Sequence, residues 1–95
     1  MLPREKLEAI KLSYEVHISR SAEKEMDRLS AAIYARLDAR ISSLEDNPYP
    51  RGTKKLSGRD EYSLRVGDYR ILYTIDYQNH IITITAVGHR REVYR

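Results

Sequence analysis

Residues 61–87 read EYSLRVGDYRILYTIDYQNHIITITAV, and the punctuation inside this stretch decides the fold. Glu61–Val66, Tyr69–Asp76 and His80–Val87 are rich in Tyr, Ile, Val and Thr, side chains that fit a pleated, half-buried surface. Gly67-Asp68 parts the first two runs with a two-residue hairpin signal, and Tyr77-Gln78-Asn79 parts the last two. Strands joined by so few residues run antiparallel, so the stretch predicts a three-strand meander.

Upstream, Asn47, Pro48, Pro50 and Gly52 mark a loop. Before it, Ala22, Met26, Leu29, Ile33, Leu37, Ile41 and Leu44 recur at three- and four-residue steps, a helical stripe that needs a flat partner. A break or bend near Ser30 would make it two helices. Ser19 or Ser21 can cap its start, with Glu23 and Glu25 well placed in the first turn. Ser13–Ser19 alternates, with Tyr14, Val16 and Ile18 on one side and Glu15 and His17 on the other, as a half-buried strand does. Met1–Leu12 reads as a short amphipathic helix with Pro3 near its start and Leu7, Ile10 and Leu12 as contacts. The order β-α-α-β-β-β follows. It predicts an α+β fold: a small antiparallel sheet, the N-terminal strand joined to the edge of the meander, with a helical hairpin packed on one face.

The 95 residues have room for one core, so residues 1–95 are read as a single domain, residues 1–12 being an extra N-terminal segment. Phe and Trp are absent while Tyr occurs eight times, so the aromatic rings carry polar tips that want a partner or water. With no Cys, a thiol nucleophile, a disulfide framework and a Cys-ligated zinc are all excluded. His17, His80 and His89 sit on separate segments without metal-ligand spacing. No apolar run approaches the roughly 18 residues of a membrane span, and Met1–Leu12 lacks the apolar stretch of a secretion signal. A cytoplasmic protein without membrane contact is expected.

The net charge of +3 is unevenly spread. Residues 1–46 carry eight Lys/Arg against nine Asp/Glu; residues 47–95 carry nine against five, and six of those nine are Arg from position 59 onward. A guanidinium-rich half suits a phosphate-bearing or carboxylate-rich partner. On the helices Lys24, Arg28, Arg36 and Arg40 are interleaved with Glu25, Asp27 and Asp38, which reads as a solvated face.

Three motifs in the second half belong together: K-L-x-G at Lys55, Leu56 and Gly58; R-x-G-x-Y-R-I-x-Y at Arg65, Gly67, Tyr69, Arg70, Ile71 and Tyr73; and V-G-H-R-x-x-V-Y at Val87, Gly88, His89, Arg90, Val93 and Tyr94. In order and spacing they resemble the RelE/ParE toxin superfamily, its RelE-like messenger RNA interferase branch in particular, over about residues 13–95. The resemblance implies the toxin of a type II toxin–antitoxin pair. It implies a ribosome-dependent endoribonuclease that cuts messenger RNA in the decoding site and so inhibits translation. It implies a RelB-like antitoxin partner in a hetero-oligomeric complex, the ribosome and messenger RNA as further partners, and no cofactor. The reaction the resemblance implies is metal-independent attack of a ribose 2′-hydroxyl on the adjacent phosphate. It requires in-line geometry, a proton acceptor, a proton donor and a cation for the pentavalent phosphate.

Arg70 follows Tyr69 on the middle strand, so it points away from the side of Tyr69, Ile71 and Tyr73. An Arg fork there can hold two phosphate oxygens. Arg65 has the parity to share that face. The resemblance implies cationic side chains, commonly lysines, at two alternating positions of this strand, where the present chain has Ser63 and Arg65. Arg does not carry protons, so that work falls to His89, which can accept or donate near neutrality, or to Lys54 or Lys55 reaching in. Arg90 joins Arg70 on the scissile phosphate, and Tyr94 stacks on a base or assists proton transfer. Catalytic roles are thus expected at Arg65, Arg70, His89, Arg90 and Tyr94, and RNA contacts at Lys54, Lys55, Arg59 and Arg91. His17 and His80 read as strand surface and hairpin turn. Two alternatives stand beside this reading: a ParE-like inhibitor of DNA gyrase, and a non-enzymatic basic binding module.

Overall fold

The computed structural model describes residues 13–89. The helix expected over Met1–Leu12 lies outside the described residues, as do Arg90, Arg91 and Tyr94. The elements are β1 (Glu15–Ile18), α1 (Arg20–Asp27), α2 (Ala31–Ser43), β2 (Thr53–Lys55), β3 (Tyr62–Val66), β4 (Tyr69–Asp76) and β5 (Ile81–His89).

The helical stripe divides at Ser30, because two serines each start a helix. Ser19 Oγ accepts from the Ala22 N–H at 3.2 Å and Ser30 Oγ from the Ile33 N–H at 3.3 Å. The five strands lie in the order β1-β5-β4-β3-β2. Two features depart from the expected sheet. The first is β2, a short edge strand antiparallel to β3 that pairs Thr53 with Leu64, Lys54 with Ser63 and Lys55 with Tyr62. The second is the direction of β1, which runs parallel to β5, so the sheet is mixed. The helical pair carries the chain across to the far edge of the sheet. Three reversals through β2, β3 and β4 then bring β5 back beside β1, pointing the same way.

One face of the sheet holds the core. Met26 and Ala22 of α1 and Leu37 and Ile41 of α2, with Leu44 just after it, bury against Leu64, Ile71, Tyr73, Ile82, Ile84 and Val87. Each large side chain buried this way contributes about 1.5–3 kcal/mol. Tyr73 belongs to the core because its polar tip is satisfied: the hydroxyl donates to the Pro48 carbonyl at 2.6 Å. Burial pushes its ionisation above the ordinary 10.0, an effect larger than the opposing hydrogen bond with Thr53. Among the described residues no helix is long and apolar enough to cross a membrane.

A β-bulge interrupts the β4–β5 ladder. Leu72 pairs with Ala86 and Tyr73 with Ile84, leaving Thr85 as the extra residue. Side groups compensate: Thr85 Oγ1 donates to the Leu72 carbonyl at 3.2 Å and to Glu61, and Glu25 of α1 accepts the Val87 N–H at 3.2 Å. The extra residue reverses the parity of everything beyond it. Ile82 and Ile84 face the core before the bulge, and Val87 faces it after.

Candidate active site

The face of the sheet opposite α1 and α2 carries Lys54, Arg65 and Arg70. Arg65 and Arg70 are direct cross-strand partners, and Gly88 lies beside Arg70 on β5. Like charges so placed repel, and no carboxylate among the described residues pairs with either. Arg65 Nε donates to the Gly67 carbonyl at 3.3 Å, and Arg70 Nη1 to the Tyr69 carbonyl at 3.1 Å. Each keeps further N–H groups of its fork for a ligand. Arg65 is exposed and Arg70 half-buried.

The next row along the same face is Lys54, Ser63, Leu72 and Ala86. Ser63 and Leu72 are each only 1% exposed. Lys54 stands directly opposite Ser63, and its neighbour Thr53 points the other way, toward the Tyr73 hydroxyl 3.4 Å away. An ammonium is therefore supplied one strand over from the position where the resemblance implies a lysine. The signal in the sequence was the alternation Thr53-Lys54-Lys55; its register against Ser63 was not legible.

Three expected residues lie elsewhere. Lys55 pairs with Tyr62, so it is on the helix side of the sheet edge. Arg59 is tied to Glu61, which also receives the Thr85 hydroxyl, so its charge is already partnered. The expectation that His89 converges with Arg65 and Arg70 needs correction. His89 pairs with Tyr69 and its ring meets the Tyr69 ring edge-on, centroids 5.8 Å apart. Tyr69 packs on the core cluster, so His89 is on the opposite face from Arg70. The bulge at Thr85 is the cause.

Arg36 was read as part of a solvated face, yet its guanidinium curls over the β3–β4 turn. Its Nη2 would lie 3.2 Å from a Cβ placed at Gly67. Arg40, one helical turn on, donates to the Arg51 carbonyl at 3.1 Å. Guanidinium groups of α2 thus extend the cationic row around the sheet edge. His80, with φ 55°, closes the last turn and stacks on Tyr14 at 5.0 Å, as a turn residue does.

A small mixed sheet thus bears a helical pair on one face and paired guanidinium groups on the other, a small α+β class of protein. The profile of the family described as ParE toxin of type II toxin-antitoxin system, parDE, matches residues 16–94, and the chain belongs to that family within the RelE/ParE superfamily. It is 34% identical over 85 residues to Toxin RelE of Mycobacterium tuberculosis, covering 86% of this chain and 87% of that one. It is 30% identical over 88 residues to Toxin RelG of the same organism, covering 88% and 99%. Among solved structures, it is similar to a chain of the toxin–antitoxin complex RelBE2 from Mycobacterium tuberculosis, with a TM-score of 0.74, 30% identity and coverage of 82% and 99%. It is also similar to a chain of the archaeal RelE-RelB complex from Pyrococcus horikoshii, with a TM-score of 0.72, 29% identity and coverage of 85% and 99%. The protein is a RelE-like toxin of a type II toxin–antitoxin system.

Proposed function

We propose that this toxin is a ribosome-dependent endoribonuclease acting in the cytoplasm, cutting messenger RNA in the decoding site and so inhibiting translation. One observation carries the reading: Arg65 and Arg70 form a cross-strand pair that no carboxylate among the described residues neutralises, with Lys54 in the adjoining row of the same face. In the reaction the ribose O2′ bonds to phosphorus and the P–O5′ bond breaks, leaving a cyclic phosphate and a 5′-hydroxyl. The two forks hold the non-bridging oxygens as negative charge grows on them. Lys54 delivers the proton that the departing O5′ needs. Arg90 adds a third guanidinium, and Tyr94 stacks on a base or relays the 2′ proton. Lys55, Arg91 and Arg36 contact backbone phosphates, and the half-exposed Arg59, paired with Glu61, adds a weaker contact.

The toxin is held in check by a RelB-like antitoxin in a hetero-oligomeric complex, the arrangement named for its structural relatives. An acidic or amphipathic antitoxin segment would cover the cationic face.

A second reading is favoured by Ser63, buried where a lysine is implied for the nuclease branch: inhibition of DNA gyrase. One experiment separates them. Purified toxin is added to translating ribosomes and the messenger ends are mapped. Cuts confined to the decoding site, and lost in folded Arg70→Ala and Arg90→Ala proteins, support the nuclease. Intact messenger together with stalled gyrase and DNA breaks assigns the toxin to the gyrase-inhibiting branch. A protein that does neither, and whose RNA affinity falls steeply with salt, is a binding module.

A further inference from the structure

Strand β4 is longer than the strand beside it. β3 begins at Tyr62, opposite Tyr73, while β4 continues to Asp76. Thr74–Asp76 therefore overhang, and no strand among the described residues covers their edge away from β5. In this notch lies a cavity of about 420 Å³ bounded by Lys55, Asp60, Tyr62, Thr74, Ile75 and Tyr77.

Its aromatic walls are braced. Tyr62 stacks on the buried Tyr73 ring at 5.7 Å, and Tyr49 meets Tyr62 edge-on at 5.4 Å. The Tyr77 hydroxyl bonds to that of Tyr49 and, at 3.2 Å, to that of Tyr62. Tyr77 is nevertheless 52% exposed, so a ring already held in position presents its surface to solvent. The rim carries one ammonium, one carboxylate and the Thr74 hydroxyl. Asp60 disfavours a bare anion there and Lys55 a bare cation. A nucleotide suits all of it: a flat π-face for the tyrosines, exocyclic amino donors for Asp60, a phosphate for Lys55.

The notch straddles the sheet edge: Lys55 and Tyr62 have the helix-side parity, while Thr74 has the parity of Arg70 and lies on its face, four residues along β4, or roughly 13 Å at about 3.3 Å per residue.

We propose that this notch is a nucleobase subsite that receives one unstacked base of the single-stranded RNA whose phosphates lie on Arg65 and Arg70. It rests on the nuclease reading for its substrate but has its own test. The full-length ¹⁵N-labelled toxin is titrated with each of the four 5′-mononucleotides and with a single-stranded RNA hexamer, following amide shifts. Mononucleotides should move residues 55–62 and 74–77. Tyr77→Ala should weaken that binding roughly five- to 150-fold, the range for losing one aromatic–base stack, while Tyr77→Phe retains it. Lys55→Ala, a change at an exposed edge residue, should weaken it as well, and serves if Tyr77→Ala does not fold.

Shifts confined to the neighbourhood of Arg65 and Arg70 would overturn the subsite. So would unchanged affinity in Tyr77→Ala and Lys55→Ala. A notch that responds to an antitoxin peptide pairing along β4 and not to nucleotides would overturn it in favour of protein docking. Arg70→Ala should leave the mononucleotide shifts in place. Notch binding without messenger cleavage by the wild-type protein therefore overturns the nuclease reading alone, and cleavage without a notch response overturns the subsite alone.

Discussion

Arg65 and Arg70 face each other across the β3–β4 pair on the side of the sheet opposite α1 and α2. Two guanidinium groups so placed destabilise the fold slightly and serve a doubly bonded phosphate well. That opposition between stability and use is itself measurable.

Replacing either Arg by Ala should lower messenger cleavage about 10²- to 10³-fold, the usual cost of losing one electrostatic donor in a reaction of this kind. Stability should stay level or rise by up to about 1 kcal/mol, because the repulsion is relieved. Cleavage assays and thermal unfolding of the same preparations check both halves. A variant that is inactive and also strongly destabilised would speak for a structural Arg.

Lys54 can be separated from the forks by charge-conserving substitution. Lys54→Arg keeps the cation but cannot release a proton, so RNA affinity should persist while the cleavage rate falls on the order of 100-fold. Equal losses in Lys54→Arg and Lys54→Ala agree with this; full activity in Lys54→Arg removes the residue from proton transfer.

His89 gives the reverse expectation. Its ring lies against Tyr69 on the other face. His89→Gln should slow cleavage by much less than the roughly 100-fold that loss of a general acid or base costs. A large loss in a folded protein would show that the ribosome rearranges the end of β5.

Tyr73 links the core to alkaline stability. Its phenol is held protonated by burial, so its stabilising contribution is complete below about pH 10, the unfolded value, and is lost as pH rises through the higher folded one. Tyr73→Phe removes the bond to the Pro48 carbonyl and should cost about 1–3 kcal/mol at pH 7. The gap to wild type should narrow at pH 11. Denaturant titrations at the two pH values measure it.

Gly67 occupies the left-handed region at φ 61° in the β3–β4 turn. An added Cβ would press on the far end of the Arg36 side chain, which can swing away, so the backbone sets the cost. Gly67→Ala should destabilise by about 1–2 kcal/mol, and Gly67→Asn by less, since Asn tolerates this conformation. Thermal melts of the two variants, ranked in that order, are the check.

The strands β3, β4 and β5 and both helices were legible because each is announced by short-range signals: alternation, a Gly-Asp turn, serine caps. β2 was not. Thr53-Lys54-Lys55 has no apolar alternation and becomes a strand only through pairing with β3. The cationic row was half legible, since parity along a single strand put Arg65 and Arg70 on one face, while the register that sets Lys54 beside Ser63 depends on two segments. Arg36 was missed because nothing on α2 tells which guanidinium reaches over a turn on another element.

The order of elements other than β2 and the placement of Arg65 with Arg70 follow from the chain alone, because periodicity and turn chemistry act over a few neighbouring residues; the superfamily follows from the resemblance of three motifs. The face taken by His89, the parallel run of β1 and the meeting of Tyr49, Tyr62 and Tyr77 do not. Side-chain direction in a strand reverses with one extra residue, and that residue, Thr85, is accommodated because Glu61 accepts from its hydroxyl and Glu25 from the Val87 N–H, both far away in sequence. Long-range contacts therefore chose the faces that local pattern left open.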